Sequence, residues 1–122
     1  MDSAIFGVPP STWAQVADGA DAIAGVVLFA PVFSTVLGGA GVFVSDLWVR
    51  GAERGSGIGT ALLRSAAETA GALWGAGFMR LSVHNSNTRA RAFYRNLGFA
   101  PLGGETVMVS TRQAFQQMRR TT

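Results

Sequence analysis

Six consecutive residues, Arg54-Gly55-Ser56-Gly57-Ile58-Gly59, have the composition of an anion cradle. They follow an alternating apolar stretch, Val42 to Val49, and lead into a run with helical periodicity, so the order reads strand, turn, helix. A helix opened in this way presents several unpaired backbone N–H groups and the positive end of its dipole, and glycine lets an anion come close to the backbone. The loop is not a P-loop, which needs Gly-Lys-Ser/Thr, because the chain contains no lysine. It is not the dinucleotide fingerprint Gly-x-Gly-x-x-Gly either: Thr60 stands where the third glycine belongs in one register and Leu62 in the other.

Other groups able to do chemistry are few. Tyr94 is the single tyrosine and His84 the single histidine. A phenol with an ordinary pKa of about 10 is protonated at neutral pH and can donate to a departing anion. Asp46, at the centre of the strand before the loop, is a candidate base, as is His84 at a strand end, although a lone histidine reads first as structural. Glu53 beside the loop reads as surface. Asn87 fits a helix cap. Arg89, Arg91 and Arg95 make one helix basic and read first as a solvated face. With no cysteine in the chain, disulfides, thiol catalysis and Cys-zinc sites are excluded. No Gly-x-Ser-x-Gly elbow, HExxH or catalytic carboxylate pair is present, which removes the common hydrolase classes.

The elements that must position these groups follow from periodicity. Residues 4–8 read as a short strand before Pro9-Pro10, and Ser11 to Asp21 as a loop. Ile23 to Phe33 is continuously apolar, as in a strand covered on both faces, and Leu37 to Gly41 turns it into Val42 to Val49 as an antiparallel hairpin. Gly57 to about Trp74 carries an i, i+3, i+4, i+7 stripe through Ile58, Ala61, Leu62 and Ser65. Phe78 to Val83 reads as the next strand, and strand–helix–strand of this length requires parallel pairing with a right-handed crossover. Asn85 to Asn87 forms a turn, Arg89 to Leu97 a helix stopped by Gly98, Phe99 to Leu102 and Glu105 to Ser110 two strands, and Thr111 to Arg120 a terminal helix.

With 122 residues, 48% of them apolar and only 14% charged, the chain reads as one domain, 1–122, with an ordered core and some apolar surface covered by a second copy. All ten basic residues are arginine on a net charge of +3, which reads as composition bias rather than as a nucleic-acid surface. The longest apolar run, Ala22 to Phe33, is about half the roughly 20 residues that span a bilayer, and Pro31 interrupts it. Met1-Asp2-Ser3 lacks the basic start of a signal peptide, so a cytoplasmic protein without membrane association is expected.

The Arg-x-x-Gly-x-Gly loop resembles the acetyl-coenzyme A pyrophosphate loop of the GCN5-related N-acetyltransferase (GNAT) superfamily. About thirty residues later, Asn87-x-x-Ala90-x-x-Phe93-Tyr94-x-x-Leu97-Gly98-Phe99 resembles that superfamily's second signature. The two in this order, separated by a strand, carry the resemblance over roughly residues 20–110. Phe33-Ser34-Thr35 and Val44-Ser45-Asp46-Leu47-Trp48-Val49 look most like the diamine and polyamine branch, with Ser45 in place of that branch's glutamate. The superfamily's opening strand and two helices have little room before Ala22, so the acceptor's identity does not follow.

The resemblance implies an α/β (α+β) fold: a mixed, mostly antiparallel sheet with one splayed parallel pairing and flanking helices, lacking the N-terminal strand and helices. It implies acetyl transfer from acetyl-CoA to a small-molecule or peptide primary amine by direct attack in a ternary complex, with no metal. The backbone of Leu47, Trp48 and Val49 would pair with the pantetheine arm, Arg54, Gly55, Ser56, Gly57, Ile58 and Gly59 would hold the pyrophosphate, and Asn87 and Ala90 would line the arm near the thioester. Tyr94 would protonate the thiolate, and the base would be Asp46, His84 or a water chain to bulk. A homodimer completing the acceptor pocket is expected. The alternative is a CoA-binding module that has lost its acceptor side and does not catalyse.

Overall fold

The computed structural model describes residues 11–19, 22–104 and 106–120. Four strands form one sheet in the order β1-β2-β3-β4: β1 is Trp13–Asp18, β2 Ile23–Ser34, β3 Gly39–Val49 and β4 Met79–Leu81. Three helices, α1 (Ile58–Trp74), α2 (Thr88–Asn96) and α3 (Arg112–Arg119), complete a mixed α/β fold. The chain divides into two compact units, Met1–Ser82 and Val83–Thr122.

In the first unit, β1, β2 and β3 are antiparallel, while β3 and β4 are parallel across α1, as strand–helix–strand connectivity requires. The core lies where α1 crosses the sheet. Val27 and Phe29 of β2 and Val42 and Val44 of β3 are buried together with Leu62, Leu63, Ala66 and Ala70 of α1. The helical residues are spaced by three, four, seven or eight, except for the adjacent pair Leu62 and Leu63, so a single stripe faces the sheet.

Two features fix α1 against the strands. The indole of Trp74 lies 5.0 Å from that of Trp13 and donates from Nε1 to the Gly41 carbonyl at 2.9 Å. At the other end, a Cβ on Gly25 would meet Leu62 Cδ1 and the Trp48 carbonyl, both at 2.9 Å, and Ile58 Cγ2 at 3.2 Å. Only glycine allows the first turn of α1 to approach β2 this closely. Gly25→Val is expected to cost about 1–3 kcal/mol through overpacking. The check is the urea midpoint, which should fall at an unchanged m-value.

The segment expected to be a loop, Ser11 to Asp21, instead contains β1. Its alternation is hidden because a polar residue occupies the covered face: Gln15 is buried and donates from Nε2 to Thr69 Oγ1 of α1 at 2.7 Å. The hairpin turn also comes earlier than expected, over residues 35–38, and β3 begins at Gly39. The double coverage expected of β2 is not found: Ala24, Gly25, Val27 and Phe29 are buried, but Val26 and Leu28 are half-buried and Ile23 and Phe33 are exposed. The strand expected at residues 4–8 lies outside the described residues.

In the second unit, α2 and α3 match their expected spans to within a residue or so. The strands expected over Phe99 to Leu102 and Glu105 to Ser110 do not form among the described residues there. Val107, Met108 and Val109 have strand-forming chemistry, but a strand needs a ladder partner, and these three side chains stand largely in solvent. Among the described residues, no helix is long and apolar enough to cross a membrane.

Candidate functional site

The register of β3 changes at one point, and that point organises the site. Leu28 pairs with Asp46 but Phe29 pairs with Val44, so Ser45 is an extra residue, a β-bulge. Its hydroxyl donates to the Leu28 carbonyl at 3.4 Å. An inserted residue reverses the parity of everything after it. As a result Val42, Val44, Leu47 and Val49 all face α1, while Asp46 and Trp48 are exposed on the opposite face.

The bulge also decides which backbone groups point away from β2. Before it, Val42 donates to the Phe78 carbonyl at 2.9 Å and the Ala40 carbonyl accepts from Gly77 at 2.9 Å, so even-numbered residues face β4. After it, Arg50 donates to the Ala24 carbonyl at 2.7 Å, so even-numbered residues face β2 and the amides and carbonyls of Leu47 and Val49 face outward. β4 pairs only with Val42, Phe43 and Val44. Among the described residues the edge of β3 at Leu47 and Val49 is therefore an open ladder, while Trp48 has its backbone turned to Val26 and its side chain 45% exposed.

This edge leads into the anion loop. Arg50 is followed by a 3-10 turn, Gly51–Glu53, then by Arg54 to Gly57 and α1. Inside the turn Glu53 donates to Arg50, Arg54 to Gly51 and Ser56 to Glu53, all through backbone. Gly55 and Gly57 have φ of 85° and 88°, in the left-handed region where side chains are strained. Gly57 is the N-cap of α1 and provides no side-chain cap. The N–H groups of Gly55, Gly57, Ile58, Gly59 and Thr60 accordingly have no partner among the described residues. A 17-residue helix adds its positive end to them. Arg54 is exposed and forms no ion pair with any described residue, whereas Glu53 is paired with Arg50 at 3.0 Å. The arrangement is suited to binding a diphosphate through backbone, with an apolar arm continuing along β3.

The second motif is explained by the caps of α2. Asn87 is the N-cap, its Oδ1 accepting from the Ala90 amide at 3.0 Å. At the C-terminus Gly98 donates to the Arg95 carbonyl and Phe99 to the Tyr94 carbonyl, both at 3.0 Å, the two bonds of a Schellman motif. Gly98 takes the required left-handed φ of 101°. The motif folds Phe99 back onto Tyr94, with ring centroids 5.5 Å apart, and the ring of Phe93 is 5.1 Å from that of Tyr94. Tyr94 is thus a half-buried phenol with two aromatic neighbours. Of the basic residues on α2, Arg91 donates to the carbonyl of Asn85, in the turn that precedes the helix, at 3.1 Å.

Leu47, Trp48, Val49 and the residues from Arg54 to Gly59 are consecutive parts of the first unit, with Asp46 at their start. Ala90 and Tyr94 lie on α2, with Asn87 as its N-cap, in the second. The signals that sequence reasoning missed are the Ser45 bulge and the Arg50–Glu53 pair, the latter an i, i+3 charge pattern legible in principle.

A family model described as Acetyltransferase (GNAT) family matches residues 2–99. No curated protein matches the chain. Among solved structures, an integron cassette protein from the mobile metagenome of V. cholerae is similar at a TM-score of 0.74 and 19% identity, over 90% of this chain and 68% of that one. Ribosomal-protein-alanine N-acetyltransferase from Brucella melitensis biovar Abortus 2308 gives a TM-score of 0.68 and 20% identity, over 84% and 74%. An aminoglycoside antibiotic 6'-N-acetyltransferase from Acinetobacter haemolyticus gives 0.68 and 23%, over 84% and 71%. At these identities the structural likeness speaks to fold alone.

Proposed function

Because the chain belongs to the acetyltransferase (GNAT) family, we propose that it transfers the acetyl group of acetyl-CoA to a primary amine by direct attack in a ternary complex. The observation that carries this reading is the continuity of a β3 edge and five amides, at Gly55, Gly57, Ile58, Gly59 and Thr60, that have no partner among the described residues. Family members take their acetyl group from acetyl-CoA, and that donor is an amide-lined arm ending in a diphosphate, which is what such an edge and loop can hold.

In this reading Leu47 and Val49 pair with the amides of the pantetheine arm, while their side chains stay packed under α1. The loop amides, the helix dipole and Arg54 bind the pyrophosphate. The amine nitrogen attacks the thioester carbonyl carbon, the C–S bond breaks, and the thiolate takes a proton from the Tyr94 hydroxyl. Asp46, exposed on β3, accepts the proton that the attacking nitrogen loses as the amide forms. Asn87 and Ala90 line the arm near the thioester. The acceptor class to test first is the diamines and polyamines, whose branch the segment around Ser45 resembles; the aminoglycoside and ribosomal-protein acetyltransferases with this fold supply the others. A homodimer that completes the acceptor pocket belongs to the same proposal, as does a cytoplasmic location.

The test has two stages. Calorimetry with acetyl-CoA should give one site per chain, and thiol release with diamines, aminoglycosides and peptide N-termini should then identify a turned-over class. Absence of binding removes the reading. Binding without turnover on any amine leaves only a CoA-binding module.

A further inference from the structure

Glu53 places a carboxylate inside a loop suited to binding an anion, and it is the only acidic residue between Arg50 and Thr60. An uncompensated carboxylate there would oppose a diphosphate. Its partner is Arg50, whose Nη2 lies 3.0 Å from Glu53 Oε2. The two are joined twice, since the Glu53 amide also donates to the Arg50 carbonyl at 2.9 Å.

Arg50 is not free to serve the ligand itself. Its amide is held by Ala24 at 2.7 Å, and its Nη2 lies against Gly19, where an added Cβ would be 3.0 Å away. Its Nε is buried without an acceptor among the described residues. The guanidinium is therefore fixed between Gly19 and Glu53, with both paired side chains only about a third exposed, 32% and 30%. Partial burial strengthens such a pair relative to a fully solvated one.

We propose that Arg50 is a positioning residue for the anion loop: it neutralises Glu53 and holds that carboxylate away from the amides that follow, so that Arg54 and the helix dipole act on the ligand unopposed. The inference rests on the reading of this loop as the pyrophosphate site. Arg50 acts through Glu53 and touches neither donor nor acceptor.

The decisive experiment is a mutant cycle read by calorimetry with coenzyme A on wild type, Arg50→Met, Glu53→Gln and the double variant. Methionine keeps much of the apolar stem that arginine packs. Arg50→Met should weaken binding by about five- to tenfold at low salt, Glu53→Gln should leave it unchanged or slightly tighter, and the double variant should return to within about twofold of wild type. The loss in Arg50→Met should shrink at about 0.5 M salt, where exposed charges are screened. Arg50→Lys, which retains the charge, should stay within about threefold of wild type and serves if the methionine variant does not fold. A double variant as weak as Arg50→Met, or an Arg50→Lys variant as weak as a neutral one, overturns the positioning role while wild-type binding stands. Failure of wild type itself to bind coenzyme A overturns the loop reading, and the positioning role falls with it.

Discussion

Tyr94→Phe is expected to lower kcat by about 10²-fold, the usual scale for losing a positioned general acid, with less than about a threefold change in acetyl-CoA affinity. The two readouts separate because the substitution removes one oxygen and keeps the ring. Phe93 and Phe99 contact that ring edge-on at 5.1 and 5.5 Å, and phenylalanine keeps both contacts. The Schellman bonds from Gly98 and Phe99 are made by backbone and do not depend on the hydroxyl. A loss confined to kcat is the signature of an interaction made as charge develops on sulfur. The measurement is steady-state thiol release with the best amine, paired with calorimetric titration of acetyl-CoA. A kcat within threefold of wild type removes Tyr94 from the acid role and leaves the phenol as an ordinary aromatic of the α2 cap.

What the sequence made legible, and what it hid, divides along physical lines. Local chemistry was readable. Glycines with positive φ end or open helices at Gly57, Gly75 and Gly98, and Asn87 and Thr111 cap α2 and α3 through side-chain oxygens, so helix limits were found to within a residue or two. The parallel placement of β4 followed from chain connectivity. Properties fixed by a partner elsewhere were not readable. Gln15 reads as a loop residue until Thr69 of α1 stands opposite it. Val107 to Val109 read as a strand, yet no ladder forms there among the described residues. The Ser45 bulge is the most consequential case. Leu47, Trp48 and Val49 looked equivalent as backbone donors, but one inserted residue turns Trp48 toward β2 and leaves Leu47 and Val49 on the open edge. A bulge is a mismatch between two strands, and one strand's sequence does not contain it.

The second large effect is expected at Gly57. Gly57→Asp should weaken coenzyme A binding on the order of 30-fold relative to Gly57→Asn, from two ligand charges facing one new carboxylate near the surface. The pair is matched because asparagine and aspartate have nearly the same shape and are the non-glycine residues that best tolerate a left-handed φ, here 88°. A Cβ at this position meets nothing within 4 Å, so neither variant is forced to repack. Both side-chain oxygens can reach back toward the amides of α1, and this shared competition makes the asparagine variant weaker than wild type by a few fold. Only the aspartate adds charge to the N-terminus that Gly57, Ile58, Gly59 and Thr60 leave electropositive. The aspartate-to-asparagine ratio should collapse as salt rises, because the difference is purely electrostatic. Calorimetric titration of both variants at two salt concentrations measures it. Equal affinities at low salt would mean that the diphosphate lies elsewhere, and that the uncommitted amides at the start of α1 bind no anion.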